Sequence, residues 1–161
     1  MSALSPPYTV GPIVSSAQFV RDLDRAVAFY RDLLGFREIR DITYDDPTAG
    51  SFLGRPHGSA VRYKLLAAGE GMVGMIGLFA LEAPAPQEVE RADEAAHIGE
   101  AALVFVCSDL DAAYEALRAR GHPVIRPPAL LRNPDGSTNR EMTFRDPDGV
   151  MINLMEARRS G

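Results

Sequence analysis

The sequence predicts an α+β fold built from two similar βαβββ modules, with helices on one face of a curved mixed sheet. Three observations carry that prediction. The stretch from Phe19 to Phe36 reads as the end of an apolar strand, a break at Arg21-Asp22, an amphipathic helix and the start of another strand. The same phrase returns from Phe105 to Gly121, with Asp109-Leu110-Asp111 standing where Asp22-Leu23-Asp24 stood, 87 positions on. Each copy is followed by strand-length runs punctuated by turn signals, the pattern of closing hairpins. At 161 residues the chain suits one domain and is too short for two independent ones, so the modules must stabilise each other by packing.

Taken in order, Met1 to Thr9 contains Pro6-Pro7 and reads as a loose arm, and Ile13 to Val20 as the first strand. The helix from Asp24 to Leu34 follows, striped by Leu23, Val27, Tyr30 and Leu34 at a period near 3.6. Asp22 or Asp24 can cap its first turn, and Gly35 suits the left-handed residue that ends it. Phe36 to Tyr44 is the second strand. Asp45 to Gly58 is rich in Gly and Pro and reads as a loop long enough to serve as a lid. Ala60 to Leu66 and Met72 to Leu81 form a hairpin about Gly69-Glu70-Gly71, closing a first module over about 11–82.

An exposed linker over about 83–97 opens on Pro84-Ala85-Pro86. The second module, about 98–157, begins with a strand from Glu100 to Cys107. Its helix, Asp109 to Arg120, is striped by Leu110, Tyr114 and Leu117 and stopped by Gly121. Pro123 to Arg126 is a short strand that Pro127-Pro128 should end, and Ala129 to Gly136 a separate edge and turn. Thr138 to Arg145, the turn Asp146-Pro147-Asp148-Gly149 and Val150 to Glu156 complete the module, and Ala157 to Gly161 is a polar tail.

Composition narrows the function classes. A 46% hydrophobic, 24% charged chain is ordinary for a globular protein. A net charge of −5 argues against nucleic acid, which needs clustered Lys and Arg. Cys107 is the only cysteine, so there is no disulfide framework; a cytoplasmic location and a buried, inert thiol are expected. No signal-peptide pattern and no apolar run of membrane-spanning length is present, so no membrane partner is expected.

Three pieces resemble the vicinal oxygen chelate (VOC) superfamily, the group of glyoxalase I, bleomycin-resistance proteins, extradiol dioxygenases and fosfomycin-resistance enzymes. They are Val20-Arg21-Asp22-Leu23-Asp24-Arg25-Ala26-Val27-Ala28-Phe29-Tyr30, then Leu33-Leu34-Gly35-Phe36, then Phe144-Arg145-Asp146-Pro147-Asp148-Gly149. The resemblance runs from about Ile13 to Glu156. It implies the glyoxalase/bleomycin-resistance fold, two βαβββ modules forming a curved mixed sheet around a cavity, usually assembled as a homodimer.

In metal-bearing relatives a His precedes the Asp of each Asp-Leu phrase by seven residues, and a Glu follows the first Asp of the Asp-Pro-Asp-Gly turn by seven. Those positions here are Ser15, Ala102 and Asn153, and the fourth ligand position falls near Gly77. Such a set offers no imidazole, carboxylate or thiolate, and a shifted register would add only Glu82. His57, His97 and His122 lie in loops or joints, as solvated or locally bonded residues; displaced ligands from His57 and His97 are the other option. The expectation is a metal-independent protein with no cofactor.

Strand alternation then selects the cup lining, because ligand positions must face inward. From Ser15 the same face takes Ala17 and Phe19; from Gly77 it takes Met75 and Phe79; from Ala102, Val104 and Val106; from Asn153, Met151 and Met155. Met142 and Phe144 are expected under the second helix, which turns Asn139, Glu141 and Thr143 toward the cup, positions that contact substrate in the fosfomycin-resistance relatives. The cup is expected between the two modules, and its lining suits a flat or apolar small organic molecule, with the alternative that these residues fill a closed core between the modules. Glu141 is the candidate catalytic acid or base, or the partner of an Arg or of a cationic ligand. Arg62 and Lys64 either bind a ligand carboxylate or are solvated, and Arg158-Arg159 is a solvated tail. Three functions follow: a metal-independent binding protein that sequesters a drug or metabolite, a cofactor-free isomerase or lyase using Glu141, and, lowest in rank, a divalent-metal glyoxalase- or dioxygenase-type enzyme.

Overall fold

The computed structural model describes residues 8–71, 73–84, 86–90 and 95–157. Pro6-Pro7, Met72, Ala85 and Arg158-Arg159 lie outside the described residues. The elements run β1 Ser15–Phe19, α1 Leu23–Asp32, β2 Arg37–Tyr44, a 3-10 turn Ala49–Leu53, β3 Val61–Ala67 and β4 Met75–Leu81, then β5 Ala102–Cys107, α2 Leu110–Ala119, β6 Val124–Arg132, β7 Thr138–Arg145 and β8 Met151–Glu156. The predicted βαβββ repeat is present twice.

The helix starts follow from local chemistry. Asp22 and Asp109 are both extended and sit just outside their helices; their carboxylates accept the Arg25 and Ala112 N–H groups at 3.0 and 2.9 Å. Asp22, not Asp24, is therefore the cap. Gly35, at φ +76°, ends α1 in the left-handed conformation that a side chain resists.

The strands form two four-stranded sheets, ordered β1-β4-β3-β2 and β5-β8-β7-β6, with the first pair of each parallel. Ala17 lies opposite Gly77, and Val104 opposite Asn153, so the two modules repeat in register as well as in order. One expectation fails in β6. The strand runs from Val124 to Arg132 straight through Pro127-Pro128, where two separate pieces were expected. It is an edge strand, and its pairing with β7 shifts register on both sides of Arg126, so the missing proline N–H groups break no ladder bond.

The two modules share one core. The helix-side faces of both sheets and the inner faces of both helices meet in a cluster that includes Tyr30, Leu66, Leu78, Leu110, Met142, Phe144 and Ile152. Met142 and Phe144 are fully buried there, as expected. Aromatic contacts stitch the seam: Phe29 lies 6.3 Å from Phe144 and Phe36 5.4 Å from Phe105, between ring centroids. The modules thus meet by their helix sides, and the opposite faces of the sheets look outward. Half-buried Cys107 packs at the margin of this core with its thiol 3.4 Å from the Asp109 carbonyl.

Candidate binding site

The outward face of the first sheet carries an aromatic row across all four strands. Phe19 on β1, Phe79 on β4, Tyr63 on β3 and Tyr44 on β2 follow one another with ring centroids 5.8, 4.5 and 6.3 Å apart. Gly77 makes the row possible: a Cβ there would lie 2.9 Å from Tyr63 Cε2 and 3.3 Å from Phe79 Cε2. The glycine at the fourth ligand position is thus a seat for two rings. Sequence alternation placed Ser15, Ala17, Phe19 and Phe79 on this face. Met75 shares it but is closed over in a small cluster with Leu65 and Ala67, against Ile39 and Tyr63, so it supports the surface from below. Tyr63 and Tyr44 were missed, although the alternation of β3 and β2 would have found them. Half-burial raises the Tyr63 phenol; Tyr44 adds to this and the Arg40 charge opposes it.

The outward face of the second sheet is more polar. Asn153 on β8 donates its side-chain N–H groups to Glu141 Oε2 at 3.2 Å and Thr143 Oγ1 at 3.1 Å, both on β7. The register brings them together, since Thr143 lies opposite Asn153 and Glu141 opposite Met155. Asn139 continues this face beside Leu131. Val104 and Val106, 61% and 67% exposed, flank the trio on the apolar side, and Met155 is half-buried beside it. Phe19 is 47% exposed on the first sheet. These exposed apolar faces form neither the expected cup between the modules nor the closed core that was the alternative, because the modules meet by their helix sides. The pair edges are open too: among the described residues β1 pairs only with β4 and β5 only with β8.

The metal that the fold family can carry does not fit these residues. Ser15 and Gly77 sit on one sheet, Ala102 and Asn153 on the other, and together they offer a hydroxyl and an amide but no strong donor for a divalent ion. Glu82 lies beyond the end of β4. Among the described residues no three His, Cys, Asp or Glu side chains are gathered as a metal requires. His57 is exposed in its loop, His97 lies 3.4 Å from Glu100, and His122 packs edge-on against Phe29 at 4.9 Å, where burial and then Arg120 and Arg25 lower its pKa.

A cavity of about 1000 Å³ lies elsewhere, along the free edge of β1 beneath residues 86–89. Of the residues selected from the sequence for the cup lining only Ala17 and Phe19 border it. Its charges are largely spent on each other. Arg21 pairs with Glu88 at 2.5 Å and with Asp148 at 3.5 Å. Glu100 is bonded to Arg145, which holds its carboxyl down at about 2. Arg55 from the 45–58 loop donates to the Pro84 carbonyl. Arg62 borders the same cavity, whereas Lys64 is committed to Glu38 at 3.0 Å and Asp41 at 2.8 Å. These bonds read as the fastening of linker and loop.

Comparison with known proteins agrees with this architecture. The family model for the Glyoxalase/Bleomycin resistance protein/Dioxygenase superfamily matches residues 12–154. A glyoxalase family protein from Bacillus cereus superposes with a TM-score of 0.78 at 18% identity, covering 94% of this chain and 97% of that one. A member of the same superfamily from Sphaerobacter thermophilus gives 0.61 at 22% identity, over 92% and 98% of the two chains. The trypanothione-dependent glyoxalase I of Leishmania major gives 0.62 at 16% identity, over 91% and 87%. A search of curated protein sequences found no match. The matched span takes in both modules from β1 to β8, and the chain belongs to the Glyoxalase/Bleomycin resistance protein/Dioxygenase superfamily.

Proposed function

We propose that the protein is a metal-independent, cytoplasmic homodimer that binds a small organic molecule in a cup formed between two copies of the chain. The observation that carries this reading is the pair of open outward faces, one aromatic and one with a polar trio, each beside an open strand edge. A second copy related by a two-fold axis would lay β1 of one protomer beside β5 of the other and turn the first module's aromatic row toward the partner's second module. Open edges and exposed apolar faces call for such a cover. Sequestration of a drug or metabolite needs no more than this cup. No helix among the described residues is long and apolar enough to cross a membrane.

The second reading, a cofactor-free isomerase or lyase, rests on Glu141, whose carboxylate reaches the same face without a cationic partner among the described residues. The test is sedimentation equilibrium joined to elemental analysis after exposure to Zn²⁺, Fe²⁺, Mn²⁺ and Ni²⁺. The expected result is a dimer that Val104→Glu converts to monomer, with no metal near one equivalent per chain. A monomeric wild type, or tight stoichiometric metal, would sink the reading.

A further inference from the structure

The polar trio on the second sheet has a definite hydrogen-bonding sense. Asn153 Nδ2 lies within bonding distance of both Glu141 Oε2 and Thr143 Oγ1. Turned over, the amide would set its carbonyl oxygen against the carboxylate, so the orientation is dictated by chemistry. Both amide N–H groups are therefore used within the trio. What remains is the Asn153 carbonyl oxygen, the second Glu141 oxygen and one Thr143 hydroxyl, two strong acceptors and a single rotatable donor. No Lys, Arg or His pairs with Glu141 among the described residues; Val104, Val106 and Met155 beside it bring no donor, and the donors that share the face, Asn139 and the exposed Arg126 opposite Thr143, are not bonded to its carboxylate. A half-buried carboxylate on such a surface is best served by a ligand that brings N–H groups and positive charge.

We infer that the cup selects flat, conjugated cations that carry N–H donors along one edge, such as amidinium, guanidinium or amino-heteroaromatic groups. The donor edge meets Glu141 and Asn153, and the flat body lies on the aromatic row of Phe19, Phe79 and Tyr63, whose ring faces favour a cation. This inference rests on the proposed cup, because the row and the trio lie on different sheets of one chain. Arg126, opposite Thr143 on the trio's own face, and Arg40, near Tyr63 on the aromatic face, are the competing cations.

The test uses the full chain and two fluorescent probes, proflavine (a flat cation with two aromatic amino groups) and 8-anilinonaphthalene-1-sulfonate (an anion). The expected result is proflavine binding in preference to the anion, weakened at least about tenfold in Glu141→Gln with the dimer intact. Phe79→Ala should weaken both probes, and Glu141→Asp should retain part of the cation preference. If both probes bind and E141Q leaves their ratio unchanged, the cation inference is overturned while the cup stands. It is overturned too if E141Q and Arg40→Met each weaken dimerisation, since Arg40 of the facing copy would then satisfy the carboxylate. If neither probe binds the wild-type dimer, cup and inference fall together.

Discussion

The Tyr30 hydroxyl lies 2.8 Å from Asp146 Oδ2, so the helix of the first module is bonded to the Asp-Pro-Asp-Gly turn of the second inside the buried seam. The same hydroxyl lies 2.9 Å from Gln18 Oε1, yet it has one proton to give. With Asp146 protonated, the acid donates to Tyr30 and Tyr30 donates to Gln18. With Asp146 ionised, Tyr30 donates to the carboxylate, and Gln18 is satisfied by turning its amide so that Nε2, otherwise without a partner, donates to the phenol oxygen. Burial raises the Asp146 pKa, against the pull of Tyr30 and of the Val150 and Asp148 N–H groups, and burial with the nearby carboxylate raises the Tyr30 phenol well above its usual range.

Tyr30→Phe should cost about 1–3 kcal/mol at neutral pH, since it strips a buried carboxylate oxygen of its donor. The sign of the pH dependence follows from the raised Asp146 value. The folded state holds this proton more tightly than the unfolded chain, so the contribution is fullest below the unfolded value and is lost as pH rises through the folded one. Asp146→Asn retains an acceptor for the Asp148 and Val150 N–H groups and offers an N–H to Tyr30. It should fold with that limb removed. Urea denaturation of the three proteins between about pH 4 and pH 7 checks both claims.

Glu100 has the opposite sign. The Arg145 hydrogen bonds hold its carboxyl at about 2, and the two side chains are 7% and 5% exposed. Its stabilisation is present above the unfolded carboxylate value and is lost as pH falls toward 2. Arg145 also bonds the Gly149 carbonyl at 2.7 Å and the Ala95 carbonyl at 2.7 Å, so it ties the linker to the turn. Arg145→Met should lower stability by about 1.5–3 kcal/mol, the usual worth of bonds to a charged group, and expose the linker to protease. Limited proteolysis with mapping of cuts near residue 95 is the readout; an uncut linker would show that Arg145 does not hold it.

Gly77→Ala tests the aromatic row. The new methyl would press on Tyr63 and Phe79, and on the Ser16 carbonyl at 3.3 Å. A destabilisation of about 1–3 kcal/mol is expected. Tyr63→Ala in the same chain should relieve part of it, so the double variant should be less damaged than the sum of the singles. Full additivity in chemical denaturation would mean that the rings do not rest on Gly77.

The local chemistry of this protein was written in its sequence. The apolar periods of α1 and α2, the caps Asp22 and Asp109, the stop at Gly35 and the repeat all lie within short stretches of chain, and short-range physics decides them. Strand parity likewise put Glu141, Thr143 and Asn153 on one face, because the side-chain period of a strand is two. The continuity of β6 through two prolines depended on its lying at a sheet edge, a tertiary fact. So did the conversion of Gly77 into a seat for Tyr63 and Phe79, the proton-sharing contact of Tyr30 with Asp146 across the chain, and the covering of Met75. Only the three-dimensional structure decided that the modules meet by their helix sides and leave the opposite sheet faces outward, because burial between distant segments has no signature in the order of residues along one of them.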